Sequence, residues 1–361
     1  MKDNSRRIRI KDIASMANVS IGTVDRVLHN RGEVNEETRK KIQQIIEELG
    51  YMPNLLAKSL ASKKQLSIAV IIPEFSNEHP YWENPLNGVT KANADLSDFN
   101  VSISSYKFNI SDEATFIQKC QKVLDAKPNG VVLTPVFQES SILFIDKLNE
   151  SGIPYILIDS NIEEAQALAY FGQDAEQSGY IAAKIMCMSL PKNAHILITK
   201  LANKKASTRH LQRRERGFLN FIQSEYNTKN INCKSIEIDL NDIKNLDEIL
   251  DSNLNKDLPD GIFVTNSKVY LVAEYLTKRQ IKNIPLIGYD LLKRNVELLK
   301  NESISFLICQ KPEKQGYHGV VSLFNYLNTR KPLNRINYSP IDILMKENLD
   351  YYINNKNTNN E

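Results

Sequence analysis

Cysteine is scarce in this sequence, and the positions of the cysteines argue against paired thiols. Four cysteines occur among 361 residues, and none forms a CxxC pair or a cysteine–histidine metal motif. Cys120, Cys187 and Cys309 lie within apolar or amphipathic runs, which indicates buried free thiols. We therefore expect neither a disulfide nor a zinc site.

Long hydrophobic runs and catalytic motifs are also missing. No apolar run reaches transmembrane length, and the first ten residues, MKDNSRRIRI, lack the apolar core of a signal peptide, so we expect a cytoplasmic protein. The motifs GxSxG, HExxH, GxGxxG and the Walker loop do not occur. Asp159 and Asp290 could in principle pair as in a glycosidase, but no spacing supports it. We expect no enzyme, no metal and no cofactor.

Charge is distributed unevenly along the chain. The whole sequence has a net charge of +3, yet residues 1–64 carry a net +5 and the remainder a net −2. A basic head on a slightly acidic body is typical of a protein that binds the phosphate backbone of nucleic acid. A solvated basic terminus would give the same charge asymmetry. The helix pattern of the head must therefore distinguish a nucleic-acid-binding head from such a terminus. At 361 residues, two or three domains are expected.

Two short helix patterns separated by a break open this basic region. The first occupies one helix face with the spacing i, i+3, i+4, i+7 in Ile10, Ile13, Ala14 and Ala17. Asn18-Val19-Ser20 interrupts it, and the Ser20 hydroxyl can cap a second helix that buries Val24 and either Val27 or Leu28. Ile21, Gly22, Asp25, Arg26 and His29 are left on its outer face. Two short helices joined in this way predict a helix-turn-helix, whose second helix enters a major groove.

A third helix is predicted to follow and to complete the head. Asn35 can cap it, with Glu36 and Glu37 in its first turn, and Gly50 ends it. Its inward face is predicted to comprise Ile42, Ile45, Ile46 and Leu49.

The head and the segment after it resemble the LacI/GalR family of bacterial transcription regulators. The order DIA, NVS, TV.RVL and R..I....ELGY.PN..A..L matches that family, and YMPNLLAKSLASKK (residues 51–64) resembles its hinge helix. The resemblance implies an all-α DNA-binding head (1–52) and a hinge helix with linker (53–65).

The same resemblance implies which residues meet DNA. In the head, Ile21, Gly22 and Arg26 would face bases, while Ser20 and Thr23 would touch phosphate. In the hinge the implied residues are Asn54, Ala57 and Leu60. Leu60 would wedge between base steps and couple ligand to DNA; the alternative is that it only buries against the rest of the protein. Asp25 departs from the small hydroxyl residue of many relatives, and it either orients Arg26, accepts from a cytosine amino group, or lies solvated.

From residue 66 onward short β-rich runs alternate with amphipathic helix patterns. The predicted strands are 67–73, 101–106, 130–135, 154–159, 195–199, 235–239, 261–265, 285–290 and 304–310. This alternation predicts doubly wound parallel sheets, and nine strands predict two lobes. Residues 67–349 resemble the type I periplasmic-binding-protein fold through RRERGF, FGQDAEQSG, FVTN, IGYD and QKPEKQGY.

That fold implies an effector-binding and dimerisation domain, 66–350, whose chain crosses between lobes three times. We expect the crossings near Gln173, Gln310 and Ile336. The N-lobe would then comprise 66–173 and 310–336, and the C-lobe 174–309 and 337–350. The Asn-rich residues 351–361 are expected to be disordered.

Polar residues at the ends of the predicted strands mark a binding cleft, because ligands bind beyond the carboxyl ends of parallel strands. These are Asp159, Asn266, Asp290 and Gln310, and Arg214 opens a helix nearby. Carboxylates accept hydrogen bonds from sugar hydroxyls and a guanidinium donates to two oxygens. By resemblance, the rings of Tyr81 and Trp82 would cover the apolar face of a sugar.

Simpler roles exist for three of these residues. Asp159 could cap a helix, Arg214 could lie on a solvated helix face, and Trp82, the single tryptophan, could belong to the core. Ser267 stands where many relatives have an acid, which puts the hydrogen bonding there in doubt.

We expect a repressor controlled by a small molecule, most simply a sugar. It would bind double-stranded, pseudo-palindromic operator DNA as a homodimer, because one helix-turn-helix head covers one half-site. We expect no membrane partner. The tail lacks the heptad leucines that a tetramer-forming coiled coil needs. The alternative is a solute-binding protein that delivers a sugar to a transporter, which has the same two-lobed fold but would need export and no DNA-binding head.

Overall fold

A computed structural model describes residues 10–28, 32–48, 65–202, 209–225, 230–240, 245–254 and 258–358. The chain forms two compact units: residues 1–64 make up most of the first and the chain from residue 65 onward most of the second. We call them the head and the body and describe each by itself. No helix within the described ranges combines the length and the apolar character needed to cross a membrane.

The head contains three helices, α1 (Ile10–Ala17), α2 (Ile21–Leu28) and α3 (Glu36–Glu48). Between α1 and α2 the chain turns at Asn18, whose φ of 59° is a left-handed conformation that asparagine adopts more readily than most residues.

Both predicted caps of the head are confirmed. Ser20 Oγ accepts the Thr23 N–H at 3.1 Å, and Asn35 Oδ1 accepts the Glu37 N–H at 2.9 Å. The predicted inward faces form one core made of Ile13, Ala14, Ala17, Val24, Val27, Ile42 and Ile45. The predictions on His29, on Leu49 and Gly50, and on the hinge with Asn54, Ala57 and Leu60 lie outside the described residues.

The body alternates strands and helices. Its strands are β1 (Leu66–Pro73), β2 (Val101–Phe108), β3 (Gly130–Leu133), β4 (Tyr155–Asp159), β5 (Ala169–Gly172), β6 (His195–Ala202), β7 (Asn232–Asp239), β8 (Gly261–Val264), β9 (Leu286–Tyr289), β10 (Phe306–Cys309), β11 (Ile336–Tyr338) and β12 (Asp342–Leu344). Its α-helices are α4 (Glu83–Asp95), α5 (Glu113–Ala126), α6 (Gln138–Glu150), α7 (Ala175–Cys187), α8 (Arg209–Glu225), α9 (Leu246–Leu254), α10 (Val269–Lys278), α11 (Lys293–Lys300), α12 (Pro312–Thr329) and α13 (Lys346–Thr358). A 3₁₀ turn, Pro80–Trp82, precedes α4.

Two six-stranded sheets with the same layout define the two lobes. The N-lobe sheet has the order β11-β5-β4-β3-β1-β2 and the C-lobe sheet the order β12-β10-β9-β8-β6-β7. Neighbouring strands are parallel throughout, except that β12 pairs with β10 in antiparallel fashion. Strands β3 and β8 are buried along their whole length because helices cover both faces, whereas the edge strands β2 and β7 are largely accessible. The predicted two-lobed α/β fold is confirmed.

The chain passes between the lobes at three places. The first lies between β5 and α7, the second between β10 and α12, and the third between β11 and β12. The third passage requires a correction, because it was expected near Ile336 with 337–350 in the C-lobe. Ile336–Tyr338 pair with β5 in the N-lobe sheet, so the chain crosses at residues 339–341 instead.

The expected disorder of residues 351–361 requires a correction for 351–358, while residues 359–361 lie outside the described residues. Helix α13 continues to Thr358. Tyr352 and Ile353 pack against the C-lobe core, and the Tyr352 hydroxyl donates to Asp342 Oδ2 at 2.9 Å. Partial burial of these two side chains holds the start of a segment whose composition alone favours disorder.

Candidate functional site

Helix α2 presents one side to the head core and the other to solvent. Val24 and Val27 are buried, while Ile21 is 56% exposed and Gly22 and Arg26 are also exposed. Ser20 Oγ and Thr23 Oγ1 lie 2.9 Å apart at the N-terminus of the helix, where the positive end of the helix dipole favours a phosphate. The five predicted head residues therefore share one solvent-facing end and side of α2.

The body encloses a cavity between its two lobes, at the carboxyl ends of the parallel strands. All seven residues predicted for the cleft line it: Tyr81, Trp82, Asp159, Arg214, Asn266, Asp290 and Gln310. Its volume of about 160 Å³ is well above the roughly 10–15 Å³ that a single water molecule needs, so the cavity has room for a small-molecule ligand.

Two aspartates hold equivalent places in the two lobes. Asp159 ends β4 and Asp290 follows β9, and these strands occupy the same position in the two sheet orders. Both aspartates have positive φ values, 68° and 66°. A left-handed conformation costs free energy at a residue with a side chain, and such residues concentrate at ligand sites. Each strand therefore ends in a turn that brings its carboxylate to the cavity wall.

Arg214 is the centre of the C-lobe wall. It is 3% exposed, and its guanidinium donates to the Thr265 carbonyl at 2.7 Å and to Gln310 Oε1 at 2.6 Å. Gln310 in turn donates to Asp290 Oδ2 at 2.8 Å, and the guanidinium carbon lies 3.7 Å from the centre of the Tyr289 ring. The alternative of a solvated helix face is wrong, because the residue is buried and its guanidinium contacts Thr265, Gln310 and Tyr289.

The position of Arg214 depends on a close crossing of α7 and α8. A Cβ atom on Gly179 would lie 1.8 Å from the Arg214 carbonyl oxygen, and one on Gly217 would lie 1.9 Å from the Glu176 carbonyl oxygen. The two glycines therefore allow the helix backbones to touch. This crossing sets how far Arg214 reaches over the sheet.

Tyr81 and Asp159 form the N-lobe wall. The Tyr81 hydroxyl donates to Asp159 Oδ1 at 2.6 Å, and Ser160 Oγ donates to Oδ2 at 3.2 Å. Burial raises the pKa of Asp159. The alternative role as a helix cap does not hold, because residues 160–168, all of them described, contain no helix. Trp82 is 6% exposed and packs edge-on against Tyr81, so it belongs both to the core and to the cavity wall.

Asn266 serves the local backbone as well as the cavity. Its amide donates to the Leu201 carbonyl, and its oxygen accepts the Lys268 N–H at 3.1 Å. Ser267, which replaces the acid of many relatives, lies in the cavity wall beside it.

Several polar residues of the wall were not predicted from the sequence. Gln173 donates to the Cys309 carbonyl at 3.0 Å where the chain crosses between lobes, and Tyr170 donates to the Asp159 carbonyl at 3.0 Å. Two imidazoles, His79 and His210, also line the cavity. The pattern RHLQRRER did place His210 one turn before Arg214 on a helix, which is the sequence signal that could have identified it.

Contacts join the lobes on two sides of the cavity. Lys268 of the C-lobe donates to the Glu78 carbonyl of the N-lobe at 2.6 Å. On α8, Arg213 binds Glu163 at 2.6 Å and Arg209 binds both carboxylate oxygens of Glu164 at 3.1 and 3.3 Å. Both glutamates are more than 60% exposed in their side chains, so each pair contributes at most about 1 kcal/mol.

The fold and site define a two-lobed ligand-binding protein with a helix-turn-helix head, and comparisons agree. Residues 9–54 match the profile of bacterial regulatory proteins of the lacI family, and residues 68–331 match that of a periplasmic binding protein domain. A solved chain from Bacteroides fragilis, assigned to the LacI transcriptional regulators, is 36% identical with a TM-score of 0.70, covering 80% of this chain and all of that one. The chain belongs to the lacI family of bacterial regulatory proteins.

Curated relatives are transcriptional regulators. RegA of Clostridium saccharobutylicum is 28% identical over 55% of this chain and 57% of its own length. The ribose operon repressor of Lactococcus lactis is 26% identical over 78% of this chain and 80% of its own length. The chain spans about half the length of four of the curated relatives that it matches.

Proposed function

We propose that this protein is a sequence-specific, DNA-binding transcriptional regulator, a repressor, whose hold on DNA is controlled by a sugar bound between the two lobes. The observation that carries the proposal is the presence, in one chain, of an exposed recognition helix and an enclosed polar cavity. Family membership and relatives named as repressors support it. A solute-binding protein would account for the cavity but not for α2.

In this proposal Arg26 and Ile21 read bases, and Ser20 and Thr23 hold a phosphate. Arginine can bind a guanine edge through two hydrogen bonds, a contact worth about 1–3 kcal/mol of discrimination. The cavity residues Asp159, Arg214, Asp290 and Gln310 bind sugar hydroxyls. The protein acts as a homodimer on pseudo-palindromic DNA, because one short recognition helix covers one half-site. It does so in the cytoplasm.

Ligand control follows from a difference in affinity between two states. A sugar held by both walls favours the closed arrangement of the lobes. It can shift the DNA-binding equilibrium only as far as it binds one arrangement better than the other. The leucine at position 60, by resemblance to the family, is the residue expected to pass this change to the minor groove.

The test is fluorescence anisotropy with a labelled duplex that the protein itself selects from a randomised pool. The affinity should fall steeply with salt, because phosphate binding releases counterions. Arg26→Ala should weaken the selected duplex by about 1–3 kcal/mol and a scrambled duplex far less. Lys41→Ala, which removes an exposed cation from α3, is the matched control and should keep the ratio between the two duplexes.

Equal loss on both duplexes in Arg26→Ala would make Arg26 a backbone contact. Equal affinity of the unmodified protein for both duplexes would contradict sequence-specific binding.

A further inference from the structure

Gln173 lies where the chain first crosses between the lobes. It follows β5 and precedes Asp174, which caps α7, and it is 4% exposed. Its side-chain amide donates to the carbonyl of Cys309 at 3.0 Å. Cys309 ends β10, immediately before the second crossing. One buried side chain therefore joins two crossings that are 136 positions apart in the sequence.

Further hydrogen bonds hold the backbone around Gln173. The Tyr170 hydroxyl donates to the Asp159 carbonyl at 3.0 Å and lies 3.4 Å from the Gln173 carbonyl oxygen. A Cβ atom on Gly172 would lie 1.8 Å from that hydroxyl oxygen, so a larger residue there would displace the ring. The Ser339 N–H, on the third crossing, donates to the Gly172 carbonyl at 2.6 Å. All three crossings therefore meet at this point.

The same side chain also lies between the two walls of the cavity. On the N-lobe side, Tyr170 links its backbone to that of Asp159. On the C-lobe side, Cys309 precedes Gln310, whose amide donates to Asp290 Oδ2 at 2.8 Å. A continuous path of hydrogen bonds and backbone therefore connects the two strand ends that carry the cavity carboxyls.

The amide oxygen of Gln173 is a spare acceptor in the cavity wall. A carbonyl can only accept a hydrogen bond, so the amide nitrogen must be the end that faces Cys309, and this fixes the orientation of the amide. Gln173 lines the cavity, and its Oε1 is buried and has no hydrogen-bond partner among the described residues. A buried acceptor without a donor costs free energy, which a ligand hydroxyl can recover.

We propose that Gln173 transmits occupation of the cavity to the crossings, by accepting a hydrogen bond from a ligand hydroxyl at Oε1 while its amide nitrogen holds Cys309. The inference rests on the proposed function, because it names the residue through which the sugar controls DNA binding. Opening of the lobes rotates the chain at the crossings and separates Gln173 from Cys309. A ligand hydroxyl polarises the amide and strengthens the bond from its N–H to the Cys309 carbonyl. Ligand binding therefore favours the arrangement in which the two crossings are joined.

The test measures sugar affinity and coupling to DNA in the full chain. The probe is the compound among D-ribose, D-arabinose, D-glucose, D-galactose, D-glucuronate and D-galacturonate that raises the melting temperature most. Calorimetry gives its affinity. Fluorescence anisotropy gives the affinity for the selected duplex with and without the probe, and the ratio of these two affinities is the coupling factor.

Two variants of Gln173 and one control are compared at pH 8. Gln173→Met keeps the length of the side chain and removes both its acceptor and its donor. It should weaken probe binding by about 5- to 150-fold, because a ligand hydroxyl loses its partner. It should also bring the coupling factor to within about threefold of one.

Gln173→Glu is the second variant and decides the matter if Gln173→Met does not fold. It keeps an acceptor, but its carboxylate cannot donate to the Cys309 carbonyl, so the coupling factor should also fall towards one. Gln118→Met is the matched control, because Gln118 is exposed on α5 and lies outside the cavity wall. It should leave both the probe affinity and the coupling factor unchanged.

A purely structural role of Gln173 would lower the melting temperature of Gln173→Met but leave its probe affinity and coupling factor as in the parent, and this result overturns the inference. The inference is also overturned if Gln173→Glu has the coupling factor of Gln118→Met, or if no compound of the panel binds. Failure of the proposed function shows instead in the parent, as a coupling factor of one. In that case the probe affinity of Gln173→Met still decides whether Gln173 binds the ligand.

Discussion

Replacing Asp290 by asparagine should stabilise the unliganded protein at neutral pH while weakening its ligand binding. Burial, the largest cause, raises the pKa of this carboxyl from 3.8 to about 7, although Arg214 and Gln310 act in the opposite direction. Asparagine has nearly the same shape, and its oxygen can still accept the hydrogen bond from Gln310. The variant therefore keeps the contact and removes the free-energy cost of a desolvated charge.

The magnitude follows from the difference between the two pKa values. Because the folded-state pKa is raised, the native protein holds more protons than the unfolded chain between these values. The contribution of the Asp290 carboxyl to the free energy of unfolding is therefore fully present below pH 3.8 and is lost as the pH rises through about 7. At about 1.36 kcal/mol per pH unit, the free energy of unfolding of Asp290→Asn should exceed that of the parent by about 1 kcal/mol near pH 4.5 and by about 4 kcal/mol near pH 8.

The assay is urea unfolding of the parent, of Asp290→Asn and of a control, Glu297→Gln, at several pH values. The control also replaces an acid by its amide, but at an exposed position on α11. The curve of stability against pH should be flatter for Asp290→Asn than for the other two proteins. Parallel curves for all three, or a lower stability of Asp290→Asn at pH 8, would refute the reasoning. A variant that is more stable but binds ligand more weakly shows a trade-off between stability and function. Such a trade-off is expected because the desolvated carboxylate lowers the free energy of unfolding and also binds the ligand.

Three other predictions concern packing, capping and lobe closure. Gly217→Ala should lower the stability of the body by about 1–3 kcal/mol or more and weaken sugar binding, because α7 and α8 must move apart and carry Arg214 with them; an unchanged melting temperature would contradict this. Ser20→Ala should cost the head about 1 kcal/mol, read as faster hydrogen exchange at the Thr23 amide, and equal exchange rates would exclude the cap. The double variant Glu163→Gln, Glu164→Gln should change sugar affinity by less than about thirtyfold, because both ion pairs are exposed and each contributes at most about 1 kcal/mol; a larger loss on calorimetry would make them part of the binding site.

Apolar runs and strand-end polar residues allowed much of the body to be predicted from the sequence. All nine predicted runs form strands because they bury most of their side chains or pair at a sheet edge. The strands that were missed, β5, β11 and β12, have three or four residues each and exist because an edge of a sheet is available to pair with them. Propensity alone does not identify so short a strand, since its stability comes from its neighbours.

The residues of the cavity also fall into two groups, those that local sequence predicts and those whose position depends on contacts between distant chain segments. Asp159 and Asp290 could be predicted because ligands bind beyond the carboxyl ends of parallel strands, and each residue stands at such an end, Asp159 in the N-lobe sheet and Asp290 in the C-lobe sheet. Gln173 and Tyr170 could not, since their contacts with Cys309 and Asp159 depend on where two separate chain segments cross. The pairing of Lys268 with Glu78, 190 positions away, likewise depends on the arrangement of the lobes.

The most direct test of the central claim, that a ligand in the cavity controls DNA binding, is the reciprocal measurement of two affinities. The affinity for the selected duplex is measured with and without saturating sugar, and the affinity for the sugar is measured with and without saturating duplex. Both ratios must equal the same factor, because the coupling free energy belongs to the pair of sites, and we expect a factor of roughly 5–150. A factor of one in both directions, with sugar and DNA bound at the same time, would contradict the claim.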